Sequence, residues 1–173
     1  MSEFPFFNKY VSLLYLHKLP EGVPEIGGMY ATMPDTPGGP VKLEGLHSGN
    51  PNSHKWRIVP NVDGVGVTVQ GYFEPNPDEG ILPVGIGPAW KNYGPAPGTP
   101  ITISSLIEAS SYNLTVVRKY ETGWIISLQP TDPYDKLGVN RYIGRTEANN
   151  DVAIAGVPVY PDVPFPGWYV SID

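Results

Sequence analysis

Glycine and proline interrupt this chain so often that a long helix has no room to form. The 173 residues include 20 glycines and 21 prolines, and proline inside a helix removes a backbone hydrogen bond. Between these breaks lie short runs rich in β-branched and aromatic residues, such as VGVTVQ at 65–70. No stretch repeats apolar residues at helical spacing without an intervening glycine or proline. The pattern predicts about twelve short strands in one all-β domain spanning residues 1–173.

Tryptophan suggests how those strands are grouped. Trp56, Trp124 and Trp168 each stand at the start of an apolar, strand-like run. One large aromatic side chain per unit can anchor a shared core, so this weak repeat predicts a β-trefoil of three four-strand pseudo-repeats. Each of these tryptophans is expected in the fourth strand of its unit. Trp90 breaks the pattern and is expected in a long loop at 87–100, after a strand at 81–86.

Composition excludes several function classes. Without cysteine there is no disulfide and no thiolate catalysis. A net charge of −6 with scattered basic residues argues against nucleic acid binding. No run is long enough to span a membrane, and the N-terminus lacks the features of a signal peptide, which predicts a cytoplasmic protein. The three histidines lack clustered carboxylates, and we find no enzyme motif, so we expect neither a metal site, nor a cofactor, nor catalysis.

A stiff, partly bare segment near the N-terminus is the best candidate for a binding loop. Pro20 and Pro24 fix their own φ angles and bias the preceding residues toward extended geometry. Gly27 and Gly28 carry no Cβ, so another surface can approach their backbone. Such a loop suits docking into a cleft. It is equally typical of a hairpin turn in which the glycines serve only the geometry.

Three short motifs, in order and at similar spacing, resemble the mycocypins. This family of mushroom cysteine-protease inhibitors includes clitocypin and the macrocypins. The motifs are GGMYA at 27–31, PVKLE at 40–44 and HKWRI at 54–58, and the resemblance is closest over residues 22–59. It implies a β-trefoil, in agreement with the tryptophan repeat, and a monomeric protein inhibitor.

The resemblance also implies a mechanism of inhibition. Two loops, at residues 19–28 and 46–53, would wedge reversibly into the active-site cleft of a papain-like cysteine protease, with the glycine pair over the catalytic cysteine. A bulky residue at Gly28 is then expected to weaken inhibition and leave folding intact. The residues expected to contact the protease are Pro20, Gly22, Val23, Pro24, Ile26, Gly27, Gly28, His47, Gly49, Asn50 and Pro51.

A second target implied by the resemblance is legumain, an asparagine-cleaving protease. In mycocypins an asparagine in the loop between the fifth and sixth strands enters its specificity pocket, and Asn76 is the natural candidate for that role here. Pro75 and Pro77 bracket Asn76, and a following proline favours the extended geometry that a protease cleft accepts. Asp78 and Asn92 are the alternatives.

Two other functions fit the same fold. A ricin-type lectin repeats a Gln-x-Trp motif, but the residues two before the predicted repeat tryptophans are His54, Thr122 and Pro166. A trypsin inhibitor offers a basic residue on an exposed loop. The turns at 34–39 and 60–64 carry none, which leaves Lys91 as the loop lysine to consider for this role.

Overall fold

The computed structural model describes residues 4–24, 27–36, 38–46, 50–73, 87–146 and 148–173. These residues confirm the all-β class, with twelve strands and two single-turn 3₁₀ helices, at Pro51–His54 and Leu106–Glu108. No helix among them is long and apolar enough to cross a membrane. The strands are β1 (Tyr10–Leu16), β2 (Tyr30–Thr32), β3 (Lys42–Glu44), β4 (Trp56–Pro60), β5 (Val67–Gly71), β6 (Pro88–Lys91), β7 (Thr102–Ser105), β8 (Tyr112–Lys119), β9 (Trp124–Pro130), β10 (Val139–Arg145), β11 (Val152–Pro158) and β12 (Gly167–Ile172).

Six strands close into a ring. β1 pairs with β4 and β12, β5 pairs with β4 and β8, and β9 pairs with β8 and β12, all antiparallel. A closed ring leaves no open sheet edge among these strands. The other six strands form the hairpins β2–β3, β6–β7 and β10–β11. A six-stranded ring with three hairpins agrees with the predicted β-trefoil.

The three hairpins meet around a pseudo-threefold axis. The backbone N–H of Val41 donates to the Ile101 carbonyl at 2.8 Å, Ile101 donates to Val152 at 2.9 Å, and Val152 donates back to Val41 at 2.8 Å. All three residues are fully buried. This closed cycle satisfies backbone groups that would otherwise be buried without partners, and it ties each hairpin to the other two.

The tryptophan repeat is correct at two of its three positions. Trp56 opens β4 and Trp168 lies in β12, and both are fully buried in the core inside the ring. Their indole N–H groups donate to carbonyls that each lie 25 residues earlier in the sequence. The prediction for Trp124 is wrong. This residue opens β9, the first strand of the third unit, and is only half-buried.

Tyr112 takes the equivalent position in the second unit. It opens β8, the fourth strand of that unit, is fully buried, and donates its hydroxyl hydrogen to Asn92 Oδ1 at 3.1 Å. Tyrosine and tryptophan both combine a large apolar ring with a polar tip that finds a partner when buried. A repeat read from tryptophan alone therefore misses the second anchor.

Trp90 also corrects the sequence prediction. It lies in β6, not in a loop, and is fully buried. Its ring centroid is 5.4 Å from that of Trp56, 6.1 Å from that of Trp168 and 6.3 Å from that of Tyr112. Trp90 thus joins the three anchors into one aromatic cluster, and the strand predicted at 81–86 lies outside the described residues.

Candidate functional site

The two loops predicted to bind a protease lie next to each other at one end of the β2–β3 hairpin. Loop 1 (residues 19–28) leads into β2, and loop 2 (residues 46–53) follows β3. Tyr30, the first residue of β2, pairs with Glu44, the last residue of β3. Because antiparallel partners lie directly opposite each other, the end of loop 1 and the start of loop 2 are neighbours.

An apolar cluster on the outside of the ring anchors the stem of loop 1. We call it the outer cluster, since its members face away from the core inside the ring. Leu19 of loop 1 packs against this cluster. Burial of apolar area stabilises this contact by about 25 cal/mol per Å². The buried members are Leu14, Tyr30, Ile125 and Tyr169, and Leu16, Leu19, Val117 and Tyr120 pack against them.

Farther along loop 1, two side chains from a distant part of the chain bind its carbonyls. Arg118 Nη1 donates to the Pro20 carbonyl, and the Tyr120 hydroxyl donates to the Gly22 carbonyl at 3.0 Å. Each donor lies 98 residues from its acceptor in the sequence. Val23 follows directly and is 57% exposed. The middle of loop 1 is therefore fixed, while its next residue faces solvent.

The glycine pair at the end of loop 1 has two different environments. Gly27 has a φ of +112°, where side chains are strained, and a Cβ there would meet nothing within 4 Å. A Cβ on Gly28 would lie 2.9 Å from Leu14 Cδ1, and Leu14 is buried in the outer cluster. A Cβ at Gly28 therefore requires the end of the Leu14 side chain to shift, and the expected effect of bulk at Gly28 stays a prediction. Gly27 is the position whose free side faces open space.

Tyr30 connects this glycine pair to β2. Burial raises the pKa of the Tyr30 phenol, while a hydrogen bond from the Gly27 backbone acts in the opposite direction. The Tyr15 backbone N–H also donates to the Met29 carbonyl at 2.9 Å. The chain is thus held to the ring immediately after the glycines, which fixes where they lie.

The second half of loop 2 is ordered by its own hydrogen bonds. Asn50 Oδ1 accepts from the backbone N–H of Asn52 at 2.9 Å, and Ser53 Oγ donates to the Asn50 carbonyl at 2.6 Å. Pro51 opens the 3₁₀ helix, where its fixed φ suits the first helical position. Asn50 and Pro51 are exposed, so these two predicted contact residues are presented on an ordered turn.

His54 holds that turn to β2. It is buried, and its Nδ1 lies 3.2 Å from Thr32 Oγ1. The Thr32 hydroxyl hydrogen goes to the Tyr30 carbonyl at 2.8 Å, so His54 Nδ1 is assigned as the donor in this pair. The Met33 backbone N–H adds a bond to the Ser53 carbonyl at 2.8 Å. Both loops are therefore attached to the same short strand.

The sequence model of the peptidase inhibitor clitocypin family matches residues 13–170. The match spans both loops and nearly the whole chain. This chain belongs to the clitocypin family of peptidase inhibitors. No curated protein matches it. Membership supports protease inhibition as the function and proteases as the partners, and it agrees with the prediction that the chain is not an enzyme.

Several predicted contact residues of the inhibitor are not placed by the structure. The predicted residues Ile26, His47, Gly49 and Asn76 and the alternative residue Asp78 lie outside the described residues. Their proposed roles remain predictions. Within the described residues, no group of three His, Cys, Asp or Glu side chains could hold a metal ion.

Neither of two alternative residues lies on an exposed loop. Asn92 is buried, and its amide nitrogen donates to Asp132 Oδ2 at 2.8 Å and to the Gly94 carbonyl at 3.0 Å. It therefore cannot enter the specificity pocket of legumain. Lys91 lies in β6, and its Nζ donates to the Glu108 carbonyl at 2.8 Å. The one lysine that favoured trypsin inhibition is thus not on a loop.

Sequence reasoning missed Arg118 and Tyr120 as supports of loop 1. Both stand near the end of β8, where the sequence shows only a polar strand end. Their acceptors are backbone carbonyls, which any residue provides. No local pattern could therefore have revealed the contact.

Proposed function

We propose that this inhibitor blocks papain-like cysteine proteases reversibly and without a covalent bond, by inserting loops 1 and 2 into the active-site cleft. The observation that carries the proposal is the common origin of the two loops at one end of the β2–β3 hairpin. Two loops held side by side form a wedge. A cleft between two subdomains, in which these enzymes carry a cysteine–histidine pair, is the complementary shape.

The backbone at Gly27 supports inhibition without cleavage. A protease binds its substrates in extended form, with negative φ, whereas Gly27 has a φ of +112°. The chain passing over the catalytic cysteine is therefore not presented as a substrate. The missing Cβ allows the backbone to approach the cysteine closely.

The attachments of both loops favour tight binding. Loop 1 is tied to β8 and the segment after it through Arg118 and Tyr120, and loop 2 is tied to β2 through His54. Segments that are ordered before docking lose less conformational entropy on association. A contact of ordinary size, roughly 800 Å² per partner, then supports a stable complex.

The decisive test compares tryptophan at two glycines of similar geometry. Gly27 and Gly64 both have positive φ and open space where a Cβ would stand. Gly64 lies in the β4–β5 turn, separated from the end of loop 2 by the length of β4. Gly27→Trp should weaken papain inhibition by about 100-fold or more, which is about 2.7 kcal/mol. Gly64→Trp should inhibit like the wild type.

Thermal unfolding of both variants provides the control for folding. A side chain at positive φ is strained by about 1–3 kcal/mol at either position, so both melting temperatures should fall. Failure of the wild type to inhibit papain at micromolar concentration would refute the proposal. Equal inhibition by the two folded variants would also refute it.

Legumain inhibition through Asn76 is the second part of the proposal. It rests on the resemblance to the mycocypins and on the burial of Asn92, which removes one of the alternative residues. Asn76 belongs to the connection between Gly71 and Pro88, which is distinct from loops 1 and 2. Asn76→Ala should abolish legumain inhibition and leave papain inhibition unchanged. Failure of the wild type to inhibit legumain would refute this second part and leave the proposal for papain-like proteases standing.

A further inference from the structure

A β-bulge in β8 changes which face of the sheet its side chains occupy. Val116 pairs with Ile126, and both pack in the core inside the ring. The register then shifts, and Arg118 pairs with Ile125, which belongs to the outer cluster. In a regular strand, residues two apart share a face, so Arg118 would point inward like Val116. The extra residue, Val117, turns Arg118 outward.

Because the Arg118 side chain points outward, two side-chain donors meet two backbone carbonyls that have the same spacing in the sequence. Arg118 and Tyr120 are two residues apart, and they bind the carbonyls of Pro20 and Gly22, which are also two residues apart. The guanidinium bond is charge-assisted and therefore stronger than a neutral one. The tyrosine ring packs in the outer cluster while its hydroxyl reaches loop 1.

We propose that Arg118 and Tyr120 are positioning residues of the inhibitory site, which clamp loop 1 in the conformation that docks. The inference rests on the proposed binding of papain-like proteases through loop 1. Apparent affinity falls in proportion to the fraction of molecules whose loop is competent to bind. The clamp therefore sets the inhibition constant through loop 1, without requiring contact between these side chains and the protease.

Tyr120→Phe tests the clamp by removing one oxygen atom while keeping the ring in the outer cluster. The inhibition constant for papain should rise about tenfold. The double variant with Arg118→Met should lose about 100-fold. Arg118→Lys keeps a charged donor and should recover part of the loss. On the Gly27→Trp background, Tyr120→Phe should add little, because both changes act through loop 1.

Tyr112→Phe is the matched control, since it also removes a hydroxyl hydrogen bond, in this case the buried bond to Asn92. It should lower the melting temperature and leave the inhibition constant within about twofold, because distant sites act independently. Tyr120→Phe should show the opposite pattern, with a small change in melting temperature and a large change in inhibition.

Backbone ¹⁵N relaxation of the free inhibitor gives a readout that needs no protease. The order parameters of the non-proline residues in 17–24 should fall in Tyr120→Phe and fall furthest in the double variant. They should be unchanged in Tyr112→Phe. Unchanged order parameters in the double variant overturn the clamp, whatever the inhibition assay shows. Absence of papain inhibition by the wild type overturns the proposed function, and the positioning role falls with it.

Discussion

At the level of single residues, the three fully buried tryptophans differ in whether the indole N–H has a hydrogen-bond partner. Trp56 and Trp168 donate their indole N–H to backbone carbonyls at 2.8 and 2.9 Å. Trp90 Nε1 is buried and has no hydrogen-bond partner among the described residues. A buried donor without a partner loses its hydration and gains nothing in return.

This difference predicts unequal costs for the same substitution. Trp90→Phe and Trp168→Phe remove similar apolar area, but only Trp168→Phe leaves a buried carbonyl, that of Ile143, without its donor. Trp168→Phe should therefore destabilise the protein by about 1–3 kcal/mol more than Trp90→Phe. Urea unfolding of the two variants measures the difference. Equal losses would show that the indole bond contributes nothing.

Tyr112 gives the core a sensitivity to alkali. Burial raises the pKa of this tyrosine above its ordinary value of about 10. Because the folded state favours the neutral phenol, Tyr112 contributes fully to folding stability below about pH 10. This contribution is lost as the pH rises beyond that value. Tyr112→Phe loses the bond to Asn92 but cannot ionise. The stability gap between wild type and Tyr112→Phe should therefore narrow above about pH 10. A constant gap in unfolding experiments would contradict this account.

At the scale of elements, loop 2 depends on one side-chain cap. Asn50→Ala removes the acceptor for the Asn52 N–H, while Asn50→Asp keeps it. A lost cap costs about 0.5–2 kcal/mol locally, so Asn50→Ala should weaken papain inhibition by up to about 30-fold. Asn50→Asp should stay close to wild type. Similar inhibition by both variants would mean that the cap does not order the docking surface.

Most strands could be predicted from the sequence, and the exceptions have physical causes. The sequence predicts β5 well because β-branched residues alternate along it. β6 was missed because Pro88 opens it and Gly87 precedes it, and such residues usually mark turns. The bulge at Val117 was invisible, since a bulge exists only relative to the register of a partner strand.

At the scale of the whole molecule, the closed ring makes a rigid base for the loops. The position of loop 2 could be predicted from motif resemblance, and the motif itself contains His54. The attachment of loop 1 could not be predicted, because Arg118 and Pro20 are brought together by ring closure across 98 residues. Local sequence patterns predict which segments form strands. Contacts between residues far apart in the sequence depend on how the strands are arranged.

Mapping the contact surface on the inhibitor shows whether loops 1 and 2 together enter the protease. Backbone hydrogen exchange of the inhibitor, free and in complex with papain, measures which amides the enzyme covers. We predict slower exchange in the complex at residues 17–29 and 45–55, and unchanged exchange at the β4–β5 turn, residues 61–66. Protection that leaves both loops unchanged while covering another part of the surface would contradict the account.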